Sequence, residues 1–114
     1  MNISHCVRCT TFPCKDVQHA GYVVPDFDVR PELITVILVS EAAPVAPTDF
    51  YYAGDDALFA RTTVQAFNDA GAQVASMQEI VALGVYLTAA VKCAKTEYGI
   101  QTDTVKTCSL LLEQ

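Results

Sequence analysis

Five cysteines are the residues of this 114-residue chain whose type and spacing most directly offer chemistry. Cys6-Val7-Arg8-Cys9 sets two thiols two residues apart, a spacing at which one turn presents both sulfurs to a single metal centre. Cys93 follows directly on an apolar run, and Cys108 stands beyond the next fourteen residues. Two such pairs, Cys6 with Cys9 and Cys93 with Cys108, make a four-thiolate ligand set and leave Cys14 over. Two other readings stand beside it. Cys93 and Cys108 suit ordinary core positions, because free cysteine is among the most buried residue types. His5, Cys6, Cys9 and Cys14, all within ten residues, form a local zinc set, although His5 adjoins Cys6 and neighbouring ligands are awkward to aim at one ion. His19 reads as a solvated loop histidine.

The elements that must position these thiols follow from hydrophobic patterning. Residues 34–39, Ile-Thr-Val-Ile-Leu-Val, form a β-branched and aliphatic run that suits a strand covered on both faces, as in a parallel sheet. Its C-terminal end delivers Ser40 and Glu41, the usual place for ligand contact in an open α/β sheet. Residues 42–56 carry Pro44, Pro47, Asp49 and the aromatic run Phe50-Tyr51-Tyr52, and read as a loop. A helix is expected over 57–70, where Phe59, Thr63, Ala66, Phe67 and Ala70 recur at helical spacing and Gly71 supplies a stop. Ser76-Met77-Gln78-Glu79 is a capping-box pattern that opens a short helix ending near Gly84. Residues 85–91 then read as a second buried strand. Strand, crossover helix and strand in that order imply a βαβ core. A final helix over 102–112 turns Val105, Cys108 and Leu112 to one inward face. Residues 1–30, with three cysteines and both histidines, read as an irregular arm tied down by metal. The fold class is therefore α/β, a small parallel sheet flanked by helices, in one domain over 1–114.

Composition bounds the function. With 52% hydrophobic and 18% charged residues the chain can build one core. Its apolar runs fall short of the ~20 residues that span a bilayer, and no signal pattern precedes them, so a cytoplasmic protein away from membranes is expected. Cysteines in that setting serve metals or reactive thiols sooner than a disulfide framework. A formal charge of -6 disfavours nucleic acid, whose nonspecific binding depends on neutralising phosphates.

Beyond these readings, the chain resembles a known family. Val85-Tyr86-Leu87-Thr88-Ala89-Ala90-Val91-Lys92-Cys93, with Cys108 in Thr107-Cys108-Ser109-Leu110, looks like the iron-sulfur uracil-DNA glycosylases. There a strand ending in Val-Lys-Cys supplies a third cluster ligand, a following helix the fourth, and an N-terminal Cys-x-x-Cys the first two. Val36-Ile37-Leu38-Val39-Ser40-Glu41 resembles the strand entering the family's Gly-Glu-Ala-Pro-Gly motif, with Ser40 for the first glycine and the proline displaced to Pro44. Tyr52-Ala53-Gly54 resembles its Phe-Val-Gly, whose ring stacks on a flipped base.

This resemblance implies a partial three-layer glycosylase-like fold and a structural 4Fe-4S cluster on Cys6, Cys9, Cys93 and Cys108. It implies a base-excision DNA repair hydrolase that breaks the N-glycosidic bond of uracil flipped from DNA. Glu41 and Asp49 become the catalytic candidates, and Tyr52, Thr88 and Ala89 the substrate-binding positions. Two departures bear on activity. Ala89 stands where the family reads uracil with an asparagine, and no counterpart of the family's histidine-bearing second half follows Cys108. The chain accordingly reads as the N-terminal half of such a domain, inactive alone, with a second half-chain or a homodimer as partner. The alternative is a noncatalytic metal-cluster module, iron-sulfur or zinc, that binds a protein. Lys92 and Lys95, beside Cys93, are the candidate phosphate contacts.

Overall fold

A computed structural model describes residues 1–96 and 99–113; Glu97, Tyr98 and Gln114, and with it the helix end expected there, lie outside the described residues. The chain is a mixed α/β structure. After a one-turn helix α1 (Ile3–Cys6) and a two-residue strand β1 (Val17–Gln18), strand β2 (Val36–Ala43) leads to helices α2 (Leu58–Asp69) and α3 (Met77–Ala82). Strand β3 (Val85–Lys95) and helix α4 (Thr102–Ser109) follow. The strand order is β1-β3-β2. Strands β2 and β3 pair in parallel, from Val36 opposite Val85 to Ser40 opposite Ala89, as the βαβ reading requires. The sheet is nevertheless mixed rather than purely parallel. Within the arm read as irregular, Val17 and Gln18 pair antiparallel with Lys95 and Ala94.

Local signals explain the helix ends. Gly71 adopts φ +96, open to glycine and costly for other residues, and its N–H donates to the Asn68 carbonyl while the Ala72 N–H donates to that of Phe67. Those two bonds are the Schellman closure of α2. Ser76 accepts from the Glu79 N–H at 3.3 Å, and the Glu79 carboxylate in turn accepts from the Ala75 N–H. The capping box therefore forms with its return bond one residue upstream of the usual place. Gly84, at φ +91, turns α3 into β3, and a side chain there would collide with the Leu33 carbonyl.

Burial departs from the pattern at three places. In α2 the inward residues are Ala60, Val64 and Phe67, which pack with Met77, Ile80 and Leu87, while Ala66 and Ala70 face solvent. In α4 the inward set is Thr104, Cys108 and Leu111, one residue round from the expected stripe, with Val105 and Leu112 exposed. That helix gives way to a 3-10 turn over Leu110–Glu113. The largest departure is β2, where Val36, Ile37, Leu38 and Val39 are all exposed, Ile37 at 60%. The run read as covered on both faces is an edge strand: β2 ends the strand order, and α3 and α4 pack on β3 while α2 packs on α3. No helix among the described residues is long and apolar enough to cross a membrane.

The asymmetry between the two strands is measurable. Leu87→Ala, at a position of β3 with 5% exposure, is expected to cost about 2–5 kcal/mol in denaturant unfolding. Ile37→Ala is expected to cost less than about 1 kcal/mol. Equal losses would show that β2 is as buried as β3.

Candidate metal centre

Strand β3 carries the site because, among the described residues, it is the strand with neighbours on both edges. One edge pairs with β2; the other is assembled from separate pieces. The Tyr52 hydroxyl donates to the Leu87 carbonyl and accepts from the Leu87 N–H, both at 2.9 Å, which supplies what a neighbouring strand would. Further along, the Lys92 carbonyl accepts from the Val23 N–H at 2.7 Å, and the Lys92 N–H donates to Cys108 Sγ at 3.2 Å. β1 closes the end.

Those pieces bring thiols together. A cavity of about 240 Å³ between the arm, the end of β3 and α4 is lined by Cys9, Cys14, Cys93 and Cys108, together with His19 and Tyr22. The Tyr22 hydroxyl accepts from the Cys9 N–H at 2.9 Å, fixing the backbone of that ligand candidate. Between Cys9 and Cys14 the chain bends at Thr10 and Thr11, Phe12 takes a φ of +45 that is unusual for a bulky residue, and the Phe12 ring packs edge-on against Tyr22 at 5.1 Å. His19 is exposed, and its Nε2 lies 2.6 Å from the Cys14 carbonyl, so it positions the Cys14 backbone. The sulfurs interact electrically. Burial first, then Cys108, Cys9 and Cys14, pushes the Cys93 thiol up to about 11. Burial likewise raises Cys108, against the opposing pull of the Lys92 N–H.

Cys6, expected among the ligands, stands apart. It is exposed at the end of α1, and the next residue, Val7, is extended, so Cys6 and Cys9 do not share one turn. Cys6 lines a different cavity, and Cys14, expected to be left over, joins Cys9. The same division separates His5 and Cys6 from Cys9 and Cys14 and so splits the local zinc set. Among the described residues no three His, Cys, Asp or Glu side chains already stand at single-ion spacing.

A joint missed in the sequence holds the cavity's walls. The Asp16 carboxylate accepts from the Gln101 N–H at 2.7 Å and from the Thr104 hydroxyl at the start of α4. The Asp16 carbonyl accepts from the Thr96 N–H and hydroxyl just beyond β3. One residue thus ties the Cys14 segment to the elements bearing Cys93 and Cys108. Asp16 followed by Val17 gave no motif; the only available signal was an acid free to meet the positive end of a helix.

The positions implied by the glycosylase resemblance do not converge on a base pocket. Glu41 is exposed and pairs with Lys95 at 3.2 Å. Asp49 lies half-buried in a 3-10 turn, Pro47–Asp49. Tyr52 is enclosed by Phe27, at 4.4 Å between ring centroids, and by Tyr86, stacked at 6.1 Å, and burial keeps its phenol neutral well above the usual range. Thr88 and Ala89 are buried in mid-strand, Ala89 completely. Lys92 is buried too, its Nζ donating to Thr88 Oγ1 and the Ala89 carbonyl. No family model matches the sequence, and no curated protein or solved structure matches it either.

The joint has a pH signature. Hydrogen bonds from Thr104 and then Gln101 hold the Asp16 carboxyl below its ordinary value of 3.8. A depressed carboxylate stabilises the fold above that ordinary value and loses its contribution as pH falls through the lowered one. Asp16→Asn is therefore expected to lower the melting temperature at pH 7, with the gap to the parent narrowing below about pH 3.8. A gap constant from pH 7 to pH 2 would contradict this role.

Proposed function

We propose that this chain is a noncatalytic iron-sulfur module of the uracil-DNA glycosylase kind, holding a 4Fe-4S cluster on Cys9, Cys14, Cys93 and Cys108. The observation that carries the reading is that four of the five cysteines line one cavity. A single zinc ion needs its four sulfurs about 2.3 Å from one point, whereas a cluster distributes four thiolates around a larger body. Thiols arranged about a cavity of about 240 Å³ favour the cluster.

The donor chemistry fits. Burial and the neighbouring sulfurs make the Cys93 and Cys108 thiolates unfavourable by themselves, and bound iron reverses that balance by favouring the deprotonated form. The N–H of Lys92 directed at Cys108 Sγ stabilises an anionic sulfur, and hydrogen bonds to sulfur are among the groups that tune such clusters. Cys9 and Cys14 belong to the arm, Cys93 to β3 and Cys108 to α4, so a common ligand cross-links three segments that otherwise meet through Asp16, β1, the Val23 N–H on the Lys92 carbonyl and the Lys92 N–H on Cys108. This role is structural.

Base excision has less support. Tyr52 spends both hydrogen-bonding capacities of its hydroxyl on Leu87, Thr88 and Ala89 are enclosed, and Glu41 faces Lys95. Reading a flipped base requires groups free to converge on its edge and on the developing charge. Lys92 is buried and the net charge is -6, so neither offers phosphate a contact.

Two outcomes test the reading. Anaerobically purified protein is expected to be brown, with about four irons and four sulfides per chain. Cys14→Ser and Cys93→Ser should lose them and Cys6→Ser should keep them; zinc without sulfide, or loss in Cys6→Ser with retention in Cys14→Ser, would overturn the ligand set. In a single-turnover assay with the loaded protein in excess over uracil-containing single-stranded DNA, no abasic sites are expected. Abasic sites that disappear in Glu41→Ala would establish catalysis instead.

A further inference from the structure

A second cavity lies on the face of β3 opposite Cys93, with Cys6 in its lining. Side chains alternate along a strand, so Lys92 emerges opposite its neighbour Cys93. It lines a cavity of about 390 Å³ whose apolar walls include Val24 and Pro25 from the arm, Ile37 and Val39 from β2, and Leu111 and Leu112 from the C-terminal turn. Three separate segments make this a concave site rather than a flat apolar face, with few polar groups set in hydrophobic walls, the usual character of a small-molecule pocket.

The polar group in this cavity is unusual. Lys92 is only 3% exposed, and its two acceptors, Thr88 Oγ1 at 2.9 Å and the Ala89 carbonyl, are neutral. An ammonium has three donors, so one remains for a further partner. Among the described residues no carboxylate forms an ion pair with it. A buried cation without a counter-charge is costly, and an anion delivered to the cavity would offset that cost. Apolar walls disfavour a hydrated inorganic anion, because its other faces would lose water and gain nothing. They suit an anion whose body is itself apolar.

We propose that this cavity binds a small monocarboxylate with an aliphatic body, its carboxylate on Lys92 Nζ beside the Thr88 hydroxyl and its chain along Ile37, Val39 and Leu112. None of Cys9, Cys14, Cys93 or Cys108 lines this cavity, although the Lys92 backbone N–H donates to Cys108 Sγ on the other face. The test is calorimetric titration of the full chain, as purified, with octanoate, octan-1-ol and octylamine. Octanoate is expected to bind at least about tenfold more tightly than octan-1-ol, with octylamine weakest, since a charge-assisted bond is made only by the carboxylate. Lys92→Met should remove the preference for octanoate over the alcohol while retaining the alcohol. Amide shifts from octanoate in the parent protein, independent of any variant's folding, should centre on Val24, Val39 and Leu112. Absence of octanoate binding at millimolar concentration, equal affinity for octanoate and octan-1-ol, an unchanged preference in Lys92→Met, or shifts centred on α2 and α3 would each overturn the proposal.

Discussion

Everything proposed for the thiol cavity depends on one carboxylate, Asp16, meeting the first turn of α4. Its side chain bonds Gln101 and Thr104, and its own carbonyl bonds Thr96, so a single arm residue touches both the exit of β3 and the entry of α4. A helix start has free N–H groups and a partial positive charge, and a carboxylate from elsewhere in the chain answers both. The register of β1 against Lys95 and Ala94 continues the same contact by two further residues. That joint and β1 together fix where Cys14 stands relative to Cys93 and Cys108. A cluster on those residues would add a second, covalent joint between the same three segments.

The central strand shows how a small chain satisfies a buried backbone without a full sheet. Beyond β2, the second edge of β3 is completed by a phenol at Leu87, an amide and a thiol at Lys92, and two residues of β1. Each piece is polar and specific, so β3 is held in register along its length. β2 has no such partner on its outer edge among the described residues, and its Val36 to Val39 run is exposed on both faces. An edge of apolar residues with open backbone groups is a pairing surface in physical terms.

Periodicity and caps made much of this legible in the sequence. The glycine stop at Gly71, the Ser76–Glu79 cap and the parallel pairing of the two apolar strands follow from local rules, and the structure has all three. What could not be read was tertiary. Both long helices turn inward one residue away from the expected stripe, because apolar residues adjoin each other in sequence and only the neighbour packed against them decides which is buried. An apolar run such as 34–39 looks the same whether it is central or at an edge. The cysteine set turned on the path between Cys9 and Cys14, which bends at Thr10 and Thr11 and holds Phe12 at positive φ, a residue with no sequence preference for it, and Cys14 rather than Cys6 shares a cavity with Cys9. The buried state of Lys92 was equally hidden, since a lysine between Val91 and Cys93 reads as surface.

Diffraction at the iron absorption edge from anaerobically grown crystals of the loaded chain would locate the iron and its ligands. Anomalous density is expected in the cavity between the arm, β3 and α4, bonded to the sulfurs of Cys9, Cys14, Cys93 and Cys108, with Cys6 unligated. Density bonded to Cys6, or a metal held by His5 and the arm cysteines away from β3, would contradict that ligand set.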